Sequence, residues 1–213
     1  MIVLNYFIPF SCGKFVSSCL MFSEQTYPMI AREEMFARLV NGYDQGWGWG
    51  HIEYNDLDFW WDGGNGDPDF FHNWFNKPNW QQYLSLRAKE ALEGDRYAFY
   101  TCHGWGMAQT MQSIFKNSKL ISVVPDLDFV YKNYQLKKPP DPSKHFPAYD
   151  PRDSFNLYKK NVTPFLFYQK NIYNEAAFKT NILALAEQLS IVLDMDQVLK
   201  YREAYLANKF NQI

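Results

Sequence analysis

The sequence predicts an α/β fold: a parallel sheet in three layers, with helices on both faces, and one large insertion. Two observations predict it. Short apolar runs at residues 2–8, 96–102, 119–124 and 162–168 are separated by stretches of helical periodicity, and strands separated by helices imply parallel pairing with the connections packed over the sheet. The length, 213 residues, suits a single domain over 1–213 with a sizeable core. No internal repeat is present.

The elements follow in order. Residues 2–8 form a buried strand, and a helix over 14–23 starts at Gly13-Lys14. Thr26-Tyr27-Pro28 opens a second helix, with Pro28 near its first position and Met29, Phe36, Leu39 and Val40 on its apolar face, and Gly42 ends it. Asn79 caps a helix running to about Glu93, in which Trp80, Tyr83, Leu84, Ala88, Ala91 and Leu92 recur at helical spacing before Gly94. After the strand over 96–102, residues 106–117 form a short helix, residues 119–124 a strand, and Asp126 or Asp128 starts another helix. Residues 137–153 hold Pro139, Pro140, Pro142, Pro147 and Pro151 and read as an irregular loop of polyproline character. A late strand spans 162–168. Asn174 caps a helix with Phe178, Ile182, Leu185 and Leu189 on one face, and Asp194 caps the last helix, to about Asn208.

Composition narrows the function. A net charge of −2 gives no general attraction to nucleic acid or to an anionic membrane. Cys12, Cys19 and Cys102 are an odd count without regular spacing, against a disulfide framework and for a reducing compartment. The apolar N-terminal stretch has no basic region before it and is interrupted by Lys14, so a secretory signal is not expected. No window reaches the roughly 18 uninterrupted apolar residues of a membrane span. A cytoplasmic location is expected, and Asn161-Val162-Thr163 then carries no weight as a glycosylation acceptor.

The loop Ile8-Pro9-Phe10-Ser11-Cys12-Gly13-Lys14 lies between a strand and a helix, where ligands of such sheets bind. The first N–H groups of a helix lack internal partners and its dipole adds positive potential, which suits a phosphate. Gly13 permits close backbone approach and Lys14 adds a full charge. A nucleoside-triphosphatase loop would need Gly where Ile8 stands and Ser or Thr where Phe15 stands, and Phe15 cannot ligate magnesium. A thiolate phosphatase loop around Cys12 would need an Arg where Ser18 stands. The plain alternative is a glycine turn with a solvated lysine. His103, just past the strand ending at Cys102, faces the same crevice if that strand neighbours the first, and can act there as a general base. Its plain alternative is a histidine bonded to a loop.

These residues resemble the P-loop sulfotransferase superfamily in a divergent form. Pro9-Phe10-Ser11-Cys12-Gly13-Lys14 is similar to the family's 5′-phosphosulfate loop, Phe99-Tyr100-Thr101-Cys102-His103 to its strand ending in the catalytic histidine, and the segment Phe115-Lys116-Asn117-Ser118-Lys119-Leu120-Ile121-Ser122-Val123-Val124 to the strand before its 3′-phosphate site. The C-terminal pattern Phe178, Ile182, Leu185, Leu189, Val198, Tyr201, Tyr205 is also similar, so the resemblance covers residues 1–23 and 95–208. It implies a P-loop-type fold and a 3′-phosphoadenosine 5′-phosphosulfate donor held by Ser11, Cys12, Gly13, Lys14, Phe15, Val16 and Ser17. It also implies His103 as the base that deprotonates a hydroxyl or amine acceptor, Lys14 stabilising the leaving phosphate, and no metal. Cys102 separates Thr101 from His103, an insertion relative to the family pattern, and the loop lysine is shifted by one residue. Pro125 and Asn133 stand where the family holds the 3′-phosphate with Arg and Ser, which leaves Lys132, or Lys137 and Lys138, to supply that charge.

The insertion over 42–79 is rich in Trp, Gly and Asp. Trp47, Trp49, Trp60 and Trp61 offer flat faces for a sugar or aromatic acceptor, and Asp56, Asp58 and Asp62 can bind hydroxyls. The plain alternative is an insertion packed by its own aromatics, or a contact through which copies or partners assemble. His51 and His72 near Asp62 and Asp67 lack ligand spacing for a metal.

Three functions compete. The first is sulfuryl transfer to a small-molecule, carbohydrate or protein acceptor. The second is a non-catalytic descendant of the fold that binds or builds an assembly. The third is a small-molecule kinase, which predicts magnesium-dependent ATP binding and is disfavoured by Phe15.

Overall fold

The structure is a computed structural model that describes residues 1–7, 12–26, 36, 97–102, 112–113, 116–130 and 165–210. The insertion over 42–79, the proline-rich loop over 137–153 and the helix expected after Asn79 lie outside the described residues.

Four parallel strands form one sheet: β1 (Ile2–Tyr6), β2 (Ala98–Cys102), β3 (Lys119–Val124) and β4 (Phe165–Tyr168), in the order β2-β1-β3-β4. Among the described residues, the sheet is accompanied by the helices α1 (Gly13–Leu20), α2 (Glu175–Leu189) and α3 (Met195–Phe210), with a 3-10 turn, Gln169–Tyr173, between β4 and α2. The fold is α/β, as the alternation of apolar runs and helical periods requires.

β1 occupies the interior of the sheet, and its composition explains why. Val3, Leu4, Tyr6 and the following Phe7 are all buried, so both faces of the strand are covered. Its register sets Tyr6 opposite Cys102 on one side and Ser122 on the other. Val3 and Phe7 join the core built by α1, α2 and α3.

α1 is buried from Phe15 through Leu20. It ends at Leu20 rather than at residue 23: the Met21 N–H reaches both the Ser17 and Ser18 carbonyls, and the Phe22 N–H reaches Cys19. The last turn tightens into shorter-range bonds and the helix stops.

α2 and α3 carry their own signals. The Asn174 side chain accepts the Ala177 N–H at 2.9 Å, and Phe178, Ile182, Leu185, Ala186 and Leu189 form the buried stripe. Ser190, left-handed at φ 62°, closes α2, with the Ile191 N–H bonded to the Ala186 carbonyl. Asp194 accepts the Gln197 N–H on its side chain and starts α3. Phe15 stacks on Tyr201 and Tyr205 and meets Phe178, which joins α1 to both C-terminal helices. Arg202 is buried at the same junction. Its Nε donates to the Ile172 carbonyl at 2.8 Å and its guanidinium lies over the Phe178 ring.

Candidate functional site

The strand order locates the crevice. From β1 the chain crosses to β2 on one side, and from β3 it crosses to β4 on the other. The connections therefore diverge between the carboxyl ends of β1 and β3, the position where open parallel sheets bind ligands. α1 begins at this point, with Cys12 as its N-cap and Gly13 and Lys14 in its first turn.

Cys12 has left-handed backbone, φ 63° and ψ 25°, uncommon for a residue with a side chain. Its carbonyl accepts the Val16 N–H at 3.2 Å and starts the helix. Its half-exposed thiol receives two donors: the Tyr205 hydroxyl at 3.0 Å, from α3, and the Gln169 Nε2 at 3.3 Å, from the turn after β4. The other end of the same amide, Gln169 Oε1, accepts the Asp126 N–H at 2.8 Å. Gln169 is fully buried and spans from the cap of α1 to the end of β3.

At the end of β3, Pro125 is buried and Asp126 is occupied by local structure. Its carboxylate accepts the Phe129 N–H at 3.3 Å and its carbonyl accepts the Val130 N–H at 2.9 Å, so Asp126 caps the helical turn that follows. Burial raises the pKa of Tyr173, and the nearby Cys12 and Asp126 push it further up. The crevice thus gathers a thiol, two phenols, a carboxylate and an amide around one helix N-terminus.

Beneath α1 lies Asn5. It is fully buried, and its Nδ2 donates to the Gly13 carbonyl and to the Ser17 hydroxyl, each at 2.7 Å. Gly13 packs against Phe7: a Cβ there would fall inside the Phe7 ring. The glycine is thus demanded by the protein's own packing.

The residues singled out in the sequence divide accordingly. Cys12, Gly13 and the backbone of Lys14 stand at the start of α1. Phe15 and Val16 turn into the core, and the Val16 N–H is taken by Cys12. Ser17 is buried on Asn5. These three side chains face inward because the helix is packed on the sheet and on α2 and α3, a constraint absent from the local motif. Ser11, His103 and Lys132 lie outside the described residues. Cys102, which precedes His103, ends β2 directly beside Tyr6, so the strand before His103 does neighbour the first strand. Sequence reasoning missed Asn5, Gln169, Tyr173 and Tyr205 as parts of this region. The polar Asn5 within the apolar run Ile2-Val3-Leu4-Asn5-Tyr6-Phe7 was the one local signal.

Among the described residues no group of His, Cys, Asp or Glu is arranged to hold a metal ion, and no helix is long and apolar enough to cross a membrane. Compared with protein-family models, with curated proteins and with solved structures, the chain matches none.

Proposed function

We propose that this chain is a sulfotransferase-like enzyme that moves a sulfuryl group from a 3′-phosphoadenosine 5′-phosphosulfate donor to a hydroxyl or amine acceptor. The observation that carries the reading is the parallel pairing of β1 with β2, Tyr6 beside Cys102, next to a helix that starts at the switch point of the sheet. This adjacency is the condition under which Lys14 and His103 share a crevice. In that arrangement the first N–H groups of α1 and Lys14 would hold the 5′-phosphosulfate. His103 would take the acceptor proton, and Lys14 would stabilise charge growing on the leaving phosphate. Lys132 would meet the 3′-phosphate. The acceptor oxygen or nitrogen would bond to sulfur as the bond from sulfur to the bridging oxygen of the donor phosphate breaks, so positioning would contribute much of the rate.

A second reading, a non-catalytic binding or assembly component of the same fold, is favoured by one observation. At the end of β3, Pro125 has no N–H, and the Asp126 N–H and carboxylate are already bonded to Gln169 and Phe129. That end of the crevice offers a carboxylate where a donor phosphate would need positive charge.

Calorimetric titration with 3′,5′-adenosine bisphosphate, with ATP–Mg²⁺ as the control, tests the first reading. Saturable micromolar binding of the bisphosphate alone is the expected result. Binding of neither nucleotide overturns it in favour of the second reading, and magnesium-dependent ATP binding would instead indicate a kinase.

A further inference from the structure

We draw no further inference here: the strongest candidate, the Cys12 thiol between Tyr205 and Gln169 at the N-terminus of α1, belongs to the site already described and rests on one cysteine at one helix end, with no second observation that points to a ligand.

Discussion

Asn5 of β1 reaches across to Ser17 of α1, its side-chain amide donating to the Ser17 hydroxyl at 2.7 Å while also donating to the Gly13 carbonyl. A polar side chain at zero exposure in a central strand is costly, and its Oδ1 is buried without a partner. The two donated bonds are what offset that cost. Asn5→Ala removes both and leaves the Gly13 carbonyl and Ser17 hydroxyl without their donor. It is expected to lower stability by about 1–3 kcal/mol, or roughly 2–4 °C per kcal/mol in a chain of this size. Ser17→Ala should cost less, because the bond to Gly13 survives. Thermal melts of the two single variants and the double variant check this. Strictly additive losses would mean that the pair is not coupled.

Gly13 separates two effects of opposite sign. Helix propensity alone predicts that Gly13→Ala stabilises α1 by about 1 kcal/mol. The overlap of the new methyl with the Phe7 ring predicts the reverse, at about 1–3 kcal/mol for overpacking in a closed core. Both residues are buried, so the overlap should win. Gly13→Ala is therefore expected to melt lower than the parent, and Phe7→Leu in the same chain should recover part of the loss. A rise in melting temperature for the single variant would show that Phe7 moves aside at little cost.

Alkaline pH should weaken the fold. Burial raises the Tyr6 phenol from its ordinary 10.0 to about 12, and burial holds the Cys19 thiol well above its ordinary 9.0, against an opposing effect of Arg202. In both cases the unfolded chain loses its proton first, so the folded state binds more protons and stability falls as pH rises. The stabilisation is complete below about pH 9 and is lost progressively up to about pH 12, with Tyr6 alone contributing on the order of 2 kcal/mol. Denaturant midpoints measured from pH 8 to pH 11 should fall, and Tyr6→Phe should flatten the upper part of that fall. A midpoint constant to pH 11 would contradict the burial of both groups.

What the sequence made legible follows from how local each signal is. The starts of α2 and α3 were readable because Asn174 and Asp194 act on N–H groups three residues away, and the stripe from Phe178 to Leu189 repeats at helical spacing. β3 was readable as a compact apolar run at 119–124. Gln169 carried no such mark. Its importance comes from Cys12 and Asp126, which are distant in sequence and meet only when β1, β3 and β4 align. Phe15 shows what a local motif leaves open. Beside Gly13-Lys14 it reads as part of a ligand loop, and the direction of its ring, onto Tyr201 and Tyr205, is set by tertiary packing that the motif does not carry.

The end of α2 offers a stabilising change. Ser190 holds φ 62° and ψ 41°, a conformation that costs a side-chain-bearing residue about 1 kcal/mol and costs glycine almost nothing. The bonds that need this geometry use only backbone groups of Ser190 and Ile191: the Ser190 N–H donates to the Glu187 carbonyl, the Ile191 N–H donates to the Ala186 carbonyl, and the Ser190 carbonyl accepts from the Gln25 side-chain amide. Ser190→Gly keeps every one of them. It is expected to raise stability by about 0.5–1 kcal/mol, partly reduced by the greater freedom of glycine in the unfolded chain, whereas Ser190→Val should lower it. Equal melting temperatures for the glycine and valine variants would show that the left-handed cap does not limit α2.

Binding and chemistry should separate at two residues of the proposed crevice. Lys14 lies in the first turn of α1, a helix held by the Asn5–Ser17 bond and by the aromatic contacts of Phe15. In the proposed role, Lys14→Ala should keep the parent melting temperature while losing measurable affinity for 3′,5′-adenosine bisphosphate. His103 follows the strand beside β1 and, in the proposed role, acts only on the acceptor proton. His103→Ala should bind the bisphosphate as the parent does and lose about 10²–10⁴-fold in sulfuryl transfer, the usual contribution of a general base. Calorimetry on both variants, with turnover followed as release of the bisphosphate from the donor, reads the two effects independently. Full affinity in Lys14→Ala would remove the anion site at α1, and full turnover in His103→Ala would remove the base while leaving the donor site standing.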